Sequence, residues 1–467
     1  MEKNQRGDID METRVKDMTQ GRPLPLILTF ALPLMMGNVF QQLYTVVDTM
    51  VVGKGLGVDA LAALGATDWL YGMVLGMIQG ITQGFGILMA KEFGAKHFEQ
   101  LRSVVGSSIV LAGLCALFLL AGFQYFARPI LLLMRTPAEI LEVSLQYLRV
   151  MLLGIPIVMT YNLLSCILRS LGDGKTPLYA MILAAICNVI LDLIFVLVLR
   201  WGVRGAAAAS LIAQCISSLF CYCKLRRIEF LRLNRGHFRL KPATAFHLLG
   251  LGFPMAAQNG IIAIGGMIIT TVVNGYSVPF IGGFTTSNTL YGVLEIAATS
   301  YGYALITFAG QNLGAGKIDR IRQGTKCAVW VALATSAVIG AVMIVFGRGI
   351  VAAFISGTPS EVEAATQVAY VYLAIMSGCL PILYILHVTR SAIQGMGNTV
   401  LPMVSGIAEF IMRTGGVLLL PALMGENGIF VAEVSAWAGA DLILIPSYFL
   451  VLSRLMRKQK DDKEFTP

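Results

Sequence analysis

Phe30-Ala31-Leu32-Pro33-Leu34-Met35 and Leu251-Gly252-Phe253-Pro254-Met255-Ala256 are two versions of one phrase, a proline set inside an apolar run. Shifting the second half of the chain back by about 220 residues brings further pairs into line. Gly94-Ala95 then faces Gly314-Ala315, Glu99 faces Asp319, Leu101 faces Ile321 and Arg102 faces Arg322. Gly172-Asp173-Gly174 faces Gly395-Met396-Gly397. A shift that holds over so long a stretch marks two halves that follow the same path.

Composition says what solvent that path runs through. The 467 residues are 56% hydrophobic and only 13% charged, and the mean hydropathy is +0.75. That is more apolar surface than a water-soluble core of this length buries at ordinary composition. The 49 glycines and 16 prolines sit inside apolar stretches, where membrane helices tolerate them as close-packing and kink sites. About twelve runs are long enough to cross a hydrocarbon layer. They lie near 24–52, 59–90, 101–126, 139–170, 177–199, 203–224, 244–274, 280–312, 318–346, 360–394, 399–423 and 428–453. Six spans per half is an even number, so both halves enter from the same side and the repeat is parallel. In transporters that arrangement places a substrate cavity between two lobes that rock.

Most of the 35 Lys and Arg residues fall in the tails and in loops on one side of this layout. Only Lys54, Arg128, Arg135, Arg200, Arg204 and Arg348 fall in loops on the other. By the positive-inside rule both termini are expected in the cytoplasm of a cell that places this chain in its inner or plasma membrane. The net charge of +9 is then explained by anionic headgroups, with no nucleic-acid partner required. The expected organisation is a cytoplasmic tail over 1–23, an N-lobe over 24–225, a basic linker over 226–243, a C-lobe over 244–455 and a cytoplasmic tail over 456–467. The N-terminal stretch lacks the layout of a cleavable signal. The eight cysteines have neither metal-ligand nor paired extracellular spacing.

A carboxylate at the middle of a membrane helix costs about 2.5–3.5 kcal/mol on insertion scales, so each one needs a partner, a water cavity or a proton. Asp48 and Asp192 stand out. Gln41, Tyr44 and Asp48 share one face of the first span, and Asn188 and Asp192 share a face of the fifth. Ser210 and Gln214 do the same in the sixth. Oxygen donors of this kind suit a hard cation such as sodium, whereas two carboxylates close together favour proton uptake. The same residues would also serve as a hydrogen-bonded cluster tying three helices together. In the second half, Glu409 and Arg413 occupy the repeat positions of Asn188 and Asp192, and their spacing fits a structural ion pair. Asn288, Tyr291, Glu295 and Thr299 form a polar stripe on the eighth span, and His387, Arg390 and Asp441 form a second candidate buried network.

Other chemistry is set aside. Gly174-Lys175-Thr176 and Gly316-Lys317 lack the first glycine of a phosphate loop. His-Glu-x-x-His and Gly-x-Ser-x-Gly are absent. Neither an enzyme nor an ATP-driven pump is expected, and no cofactor.

Pro33 with Val47-Asp48-Thr49, Gly94-Ala95-Lys96, Arg169-Ser170-Leu171-Gly172-Asp173-Gly174, Asn188-Val189-Ile190-Leu191-Asp192 and Gly314-Ala315-Gly316, in that order, resemble the MATE (multidrug and toxic compound extrusion) transporters of the MOP superfamily. The resemblance runs from about Leu24 to Leu455. It implies an all-α polytopic membrane protein with twelve helices in two six-helix lobes. It also implies secondary antiport of cationic or amphipathic compounds outward against H+ or Na+ entry. The family's cation site maps onto Asp48, Asn188 and Asp192, with Asn162 and Ser210 as neighbours, so that any sodium is expected at Asp48, Asn188 and Asp192. Gln41, Tyr44, Glu295 and Tyr291 are expected at the substrate cavity. Where one branch of the family carries carboxylates in spans 7 and 10, this chain has apolar residues near Ile262 and Leu383. A monomer is expected. The alternative is a flippase for lipid-linked saccharide or lipid of the same superfamily, which would ask for extra spans and a basic cavity.

Overall fold

The computed structural model describes residues 15–134, 136–355 and 359–464. Arg135 and the first fourteen residues of the expected tail lie outside them. Among the described residues every regular element is helical. The order is α1 (Pro23–Leu56), α2 (Val58–Gly94), α3 (Phe98–Leu133), α4 (Ala138–Leu153), α5 (Ile155–Ser170), α6 (Lys175–Asp192) and α7 (Val203–Leu225). It continues with α8 (Pro242–Val273), α9 (Val278–Gly314), α10 (Ile318–Ala352), α11 (Pro359–Gly378), α12 (Leu380–Gly395), α13 (Val400–Leu419), the single turn α14 (Pro421–Met424) and α15 (Asn427–Glu464). A six-residue π-helix, Leu193–Val198, prolongs α6.

Nine helices among the described residues are long and apolar enough to cross a membrane, and the bent pairs α4–α5 and α11–α12 bring the number to eleven. The twelfth is α13, twenty residues long and interrupted by Glu409 and Arg413. The twelve apolar runs are therefore twelve helical paths. Two of them are not continuous, as the runs 139–170 and 360–394 suggested. The chain turns by 45° between α4 and α5 and by 51° between α11 and α12. Pro156 and Pro381 stand in the first turn of the second piece in each case. A proline there removes one backbone donor and cannot extend the preceding helix, so the break falls just before it.

The duplication is also written in the backbone. Lys96 and Gly316, each the second residue of matching loops, have φ of 61° and 66°, and Gly202 and Gly425 have φ of 64° and 62°. By packing, the chain forms two compact units. One holds residues up to Gln20 with Leu32–Gly260, and the other holds Gly21–Ala31 with the chain from Ile261 onward. The divide thus crosses α1 and α8, near Pro33 and Pro254, instead of falling at the basic linker. One reason is visible on α2. Gly80 and Gly84 lie so close to the backbone of Ala256 and Gly252 that a side chain at either would collide. Small residues that let two backbones approach are the usual contact between membrane helices, and this one keeps the start of α8 in the first unit. In the expected tail from 456, α15 continues to Glu464. Its Arg, Lys and Gln residues are good helix formers that need no apolar face to continue the helix.

Within the first unit the residues before α1 form a strap. Lys16 N–H donates to the Leu171 carbonyl at 3.1 Å, Met18 is fully buried, and Lys96 Nζ meets Asp17 Oδ2 at 2.6 Å. Gly172, at φ 82°, carries no side chain because Lys16 occupies the space. Burial pushes the Asp17 carboxyl up, but bonds from Lys96 and Thr19 outweigh it and hold the group below the usual carboxylate range. A carboxylate held low in the folded state stabilises it above the ordinary Asp range, and that contribution fades as pH falls through the lowered value. Lys96→Gly relieves a left-handed strain of roughly 1 kcal/mol yet frees the strap. Amide exchange over residues 16–20 should rise in this variant while helix content is unchanged. The wild type should show the same rise on acidification, once the intrinsic pH dependence of exchange is removed.

Candidate functional site

Three helices of the first unit bring the polar residues together. Asp192 ends α6 immediately before the π segment, where the wider turn displaces the chain from a regular helical path. Such π turns are frequent at functional sites. Val196 of that segment packs into an apolar cluster with Val52, Leu64, Met151 and Val203, which fixes the end of α6 against its neighbours. Asp192 is fully buried and Asn188 nearly so. With its amide nitrogen turned toward the carboxylate, Asn188 donates to Asp192 Oδ2 at 3.2 Å, while its oxygen accepts from Ser210 Oγ at 3.2 Å on α7.

Asp48 of α1 completes the group. Its carboxyl lies within hydrogen-bonding reach of Asp192, and each acid keeps one oxygen, Oδ1, buried without a partner among the described residues. Two carboxyl groups in contact need a proton between them or a cation beside them. Tyr44, one turn earlier, shares a hydrogen bond with Gln41 and faces both acids. It also forms a wall of a cavity of about 330 Å³ between α1 and α6, together with Phe40, Val47, Ile186 and Ile190. Asn162 donates its amide to the Val158 carbonyl of its own helix at 2.9 Å.

The structure adds residues that sequence reasoning passed over. Asp68 of α2, an exposed carboxylate, lies within electrostatic range of Asp48, and the buried Tyr147 of α4 lies within electrostatic range of Asp48, Asp68, Tyr71 and Tyr44. The signal was available, because Asp68 is a carboxylate inside an apolar run, the criterion that selected Asp48 and Asp192.

The second unit arranges its charges differently. Glu409 Oε1 pairs with Arg413 at 3.0 Å and Oε2 with Arg390 at 2.7 Å, and Arg413 also holds Glu433 of α15 at 3.0 Å. The i, i+4 pair expected from spacing is thus part of a four-member network joining α12, α13 and α15, and Glu433 was missed. Glu295 of α9 meets His387 Nε2 at 2.9 Å, so its carboxylate is engaged inside the unit. Tyr291 stacks on Trp437, ring centroids 5.8 Å apart.

Comparison with known proteins gives the same repeat from an independent direction. The MatE family model matches residues 33–194 and, a second time, residues 254–415. The chain belongs to the MatE family. Among its relatives, the probable multidrug resistance protein YpnP of Bacillus subtilis (strain 168) is 28% identical over 415 residues, covering 88% of this chain and 92% of that protein. The probable multidrug resistance protein YoeA of the same organism is 28% identical over 413 residues, with 87% and 84% covered. A solved outward-facing multidrug resistance MATE family transporter of the MOP superfamily superposes with a TM-score of 0.88 at 22% identity, over 95% of this chain and 99% of that one. The likeness establishes the MatE fold, and with the family it makes this chain a membrane transporter and not an enzyme.

The charge network of the second unit yields a stability prediction. Glu409→Gln leaves the buried Arg390 without its carboxylate partner and Arg413 with Glu433 alone, and breaking a buried pair from one side costs about 3–5 kcal/mol. Thermal unfolding in detergent should show a large loss for Glu409→Gln, against a small change for Glu363→Gln, whose partner Arg348 is exposed at the rim.

Proposed function

We propose that this MatE protein is a secondary antiporter that exports cationic or amphipathic compounds in exchange for an inward-moving H+ or Na+. The observation that carries the reading is the contact of Asp48 with Asp192 inside a membrane-spanning unit, each with a buried oxygen left without a partner. Such a pair holds negative charge that only a mobile cation can neutralise. A proton needs only the two carboxyls, whereas sodium would draw on Asp48, Asp192, Asn188 and Ser210, a set of oxygen donors that suits a hard cation. Tyr44, with one side on the acids and the other on the apolar cavity, lets the ion's arrival be felt at an aromatic surface. Aromatic faces and apolar walls bind flat organic cations.

Energetics make exchange the economical cycle. Moving one monovalent cation out against 100 mV costs about 2.3 kcal/mol, and an inward H+ or Na+ offsets that electrical part. The flippase reading is disfavoured because the membrane interior of the first unit gathers acids, not the basic groups that a pyrophosphate would need. We place both termini on the cytoplasmic face of the cell membrane, from the distribution of Lys and Arg. A single copy of the chain suffices, since the pair lies within one unit.

In proteoliposomes loaded with ethidium, an imposed pH or sodium gradient should drive transport. Asp48→Asn and Asp192→Asn should each lower it by roughly tenfold or more with folding intact. Transport that ignores both gradients, or that survives both substitutions, would return the pair to a structural role.

A further inference from the structure

The ionisable groups around α12 do not all pair off. Around α12, among the described residues, the acids are Glu295, Glu409, Glu433 and Asp441, and the bases are His387, Arg390 and Arg413. Arg390 and Arg413 are committed to Glu409 and Glu433 at 2.7–3.0 Å, and His387 to Glu295 at 2.9 Å. Each of those acids has its base, and Asp441 of α15 is the odd one. It is 6% exposed, and its Oδ1 is buried without a hydrogen-bond partner. Arg390 and Glu409 act on it electrostatically, and the Arg390 Nε is also buried and unpartnered. α15 packs directly on α12 and α13, so a donor and an acceptor without partners share one packed interface.

We propose that Asp441 is a second proton-binding site, separate from the Asp48–Asp192 pair, and that Arg390 is the element it switches. With a proton on Asp441, Arg390 serves Glu409 alone. When the proton leaves, the bare carboxylate has one cation within reach, and Arg390 turns its free Nε edge toward Asp441. That move loosens the Arg390–Glu409 bond and so changes how α12, α13 and α15 are tied together. The step is a single proton transfer, and no electrons move. A metal ion is a poor occupant, because it would sit beside a guanidinium, whereas a proton needs one oxygen. The groups facing Asp441 from the helices packed on it are Arg390 on α12 and Glu409 on α13. His387, Arg413 and Glu433 lie one contact farther on, with Glu295 of α9 beyond His387.

The site deepens the antiport reading, and its first test does not depend on transport. Infrared titration of the detergent-purified protein should show the C=O band of a protonated buried acid that disappears in Asp441→Asn and persists in Asp48→Asn/Asp192→Asn. Asp441→Asn, which imitates the protonated state, should unfold at or above the wild-type temperature. An unchanged infrared titration, or a marked loss of thermal stability, overturns the proposal, since either means that Asp441 is a fixed ion in the native fold. In proteoliposomes that transport ethidium on a pH gradient, the reversal potential should give one fewer proton per substrate in Asp441→Asn than in wild type. An equal stoichiometry overturns the coupling role even where the infrared band is lost. Failure of wild type to transport at all would count against the antiport reading and leave the infrared result to decide this site.

Discussion

Charge inside a hydrocarbon layer has to be neutralised where it stands, because no solvent is there to spread it. That constraint organises both units. The second unit answers it with guanidinium groups of its own, Arg390 on Glu409 and Arg413 between Glu409 and Glu433. The first unit brings Asp48 and Asp192 together beside tyrosines, an asparagine and a serine, none of which brings a positive charge. Neutrality there must be supplied from outside the fold, and a site that must borrow a cation is a site that can exchange one.

The two answers stand at corresponding places in one scaffold. Asn188 and Asp192 on α6 match Glu409 and Arg413 on α13. Each pair is spaced by one helical turn and faces into its own unit. What differs is whether the second member repels or attracts the acids around it. The broken spans α4–α5 and α11–α12, with Pro156 and Pro381 at the same point of each break, kept their geometry while the charges diverged. Duplication fixed the path of the backbone and left the polar interior free to specialise.

Most of the path was legible because membrane spans advertise themselves by length and apolarity, and the internal repeat gave the register between halves. The bends were not, since a proline within a long apolar run reads equally well as a kink or as an uninterrupted turn. The unit boundary was hidden for a different reason. The contact that assigns the start of α8 to the first unit is made by Gly80 and Gly84, and its strength comes from an absent side chain that no hydropathy pattern records. The Asp48, Asn188, Asp192 and Ser210 grouping followed from helical spacing. Asp68 and Glu433 carried the same signal of an acid in an apolar run. They lacked a second polar residue at a recognised spacing to draw attention to them, and their roles depend on neighbours from other helices. Asn162 shows the converse, a polar residue on a suitable helix that satisfies itself on its own backbone.

Lys96 and Gly316 hold the same left-handed turn in the two halves, one with a side chain that disfavours it and one without. The lysine lies 2.6 Å from Asp17 and over the ring of Phe93, contacts for which a glycine has no atoms. If both copies began with glycine, the lysine would have been a mildly harmful change until an acid stood in the strap to receive it. The order of the two substitutions is then constrained, Asp17 first and Lys96 second. Reverting them one at a time would meet the same asymmetry in the opposite direction.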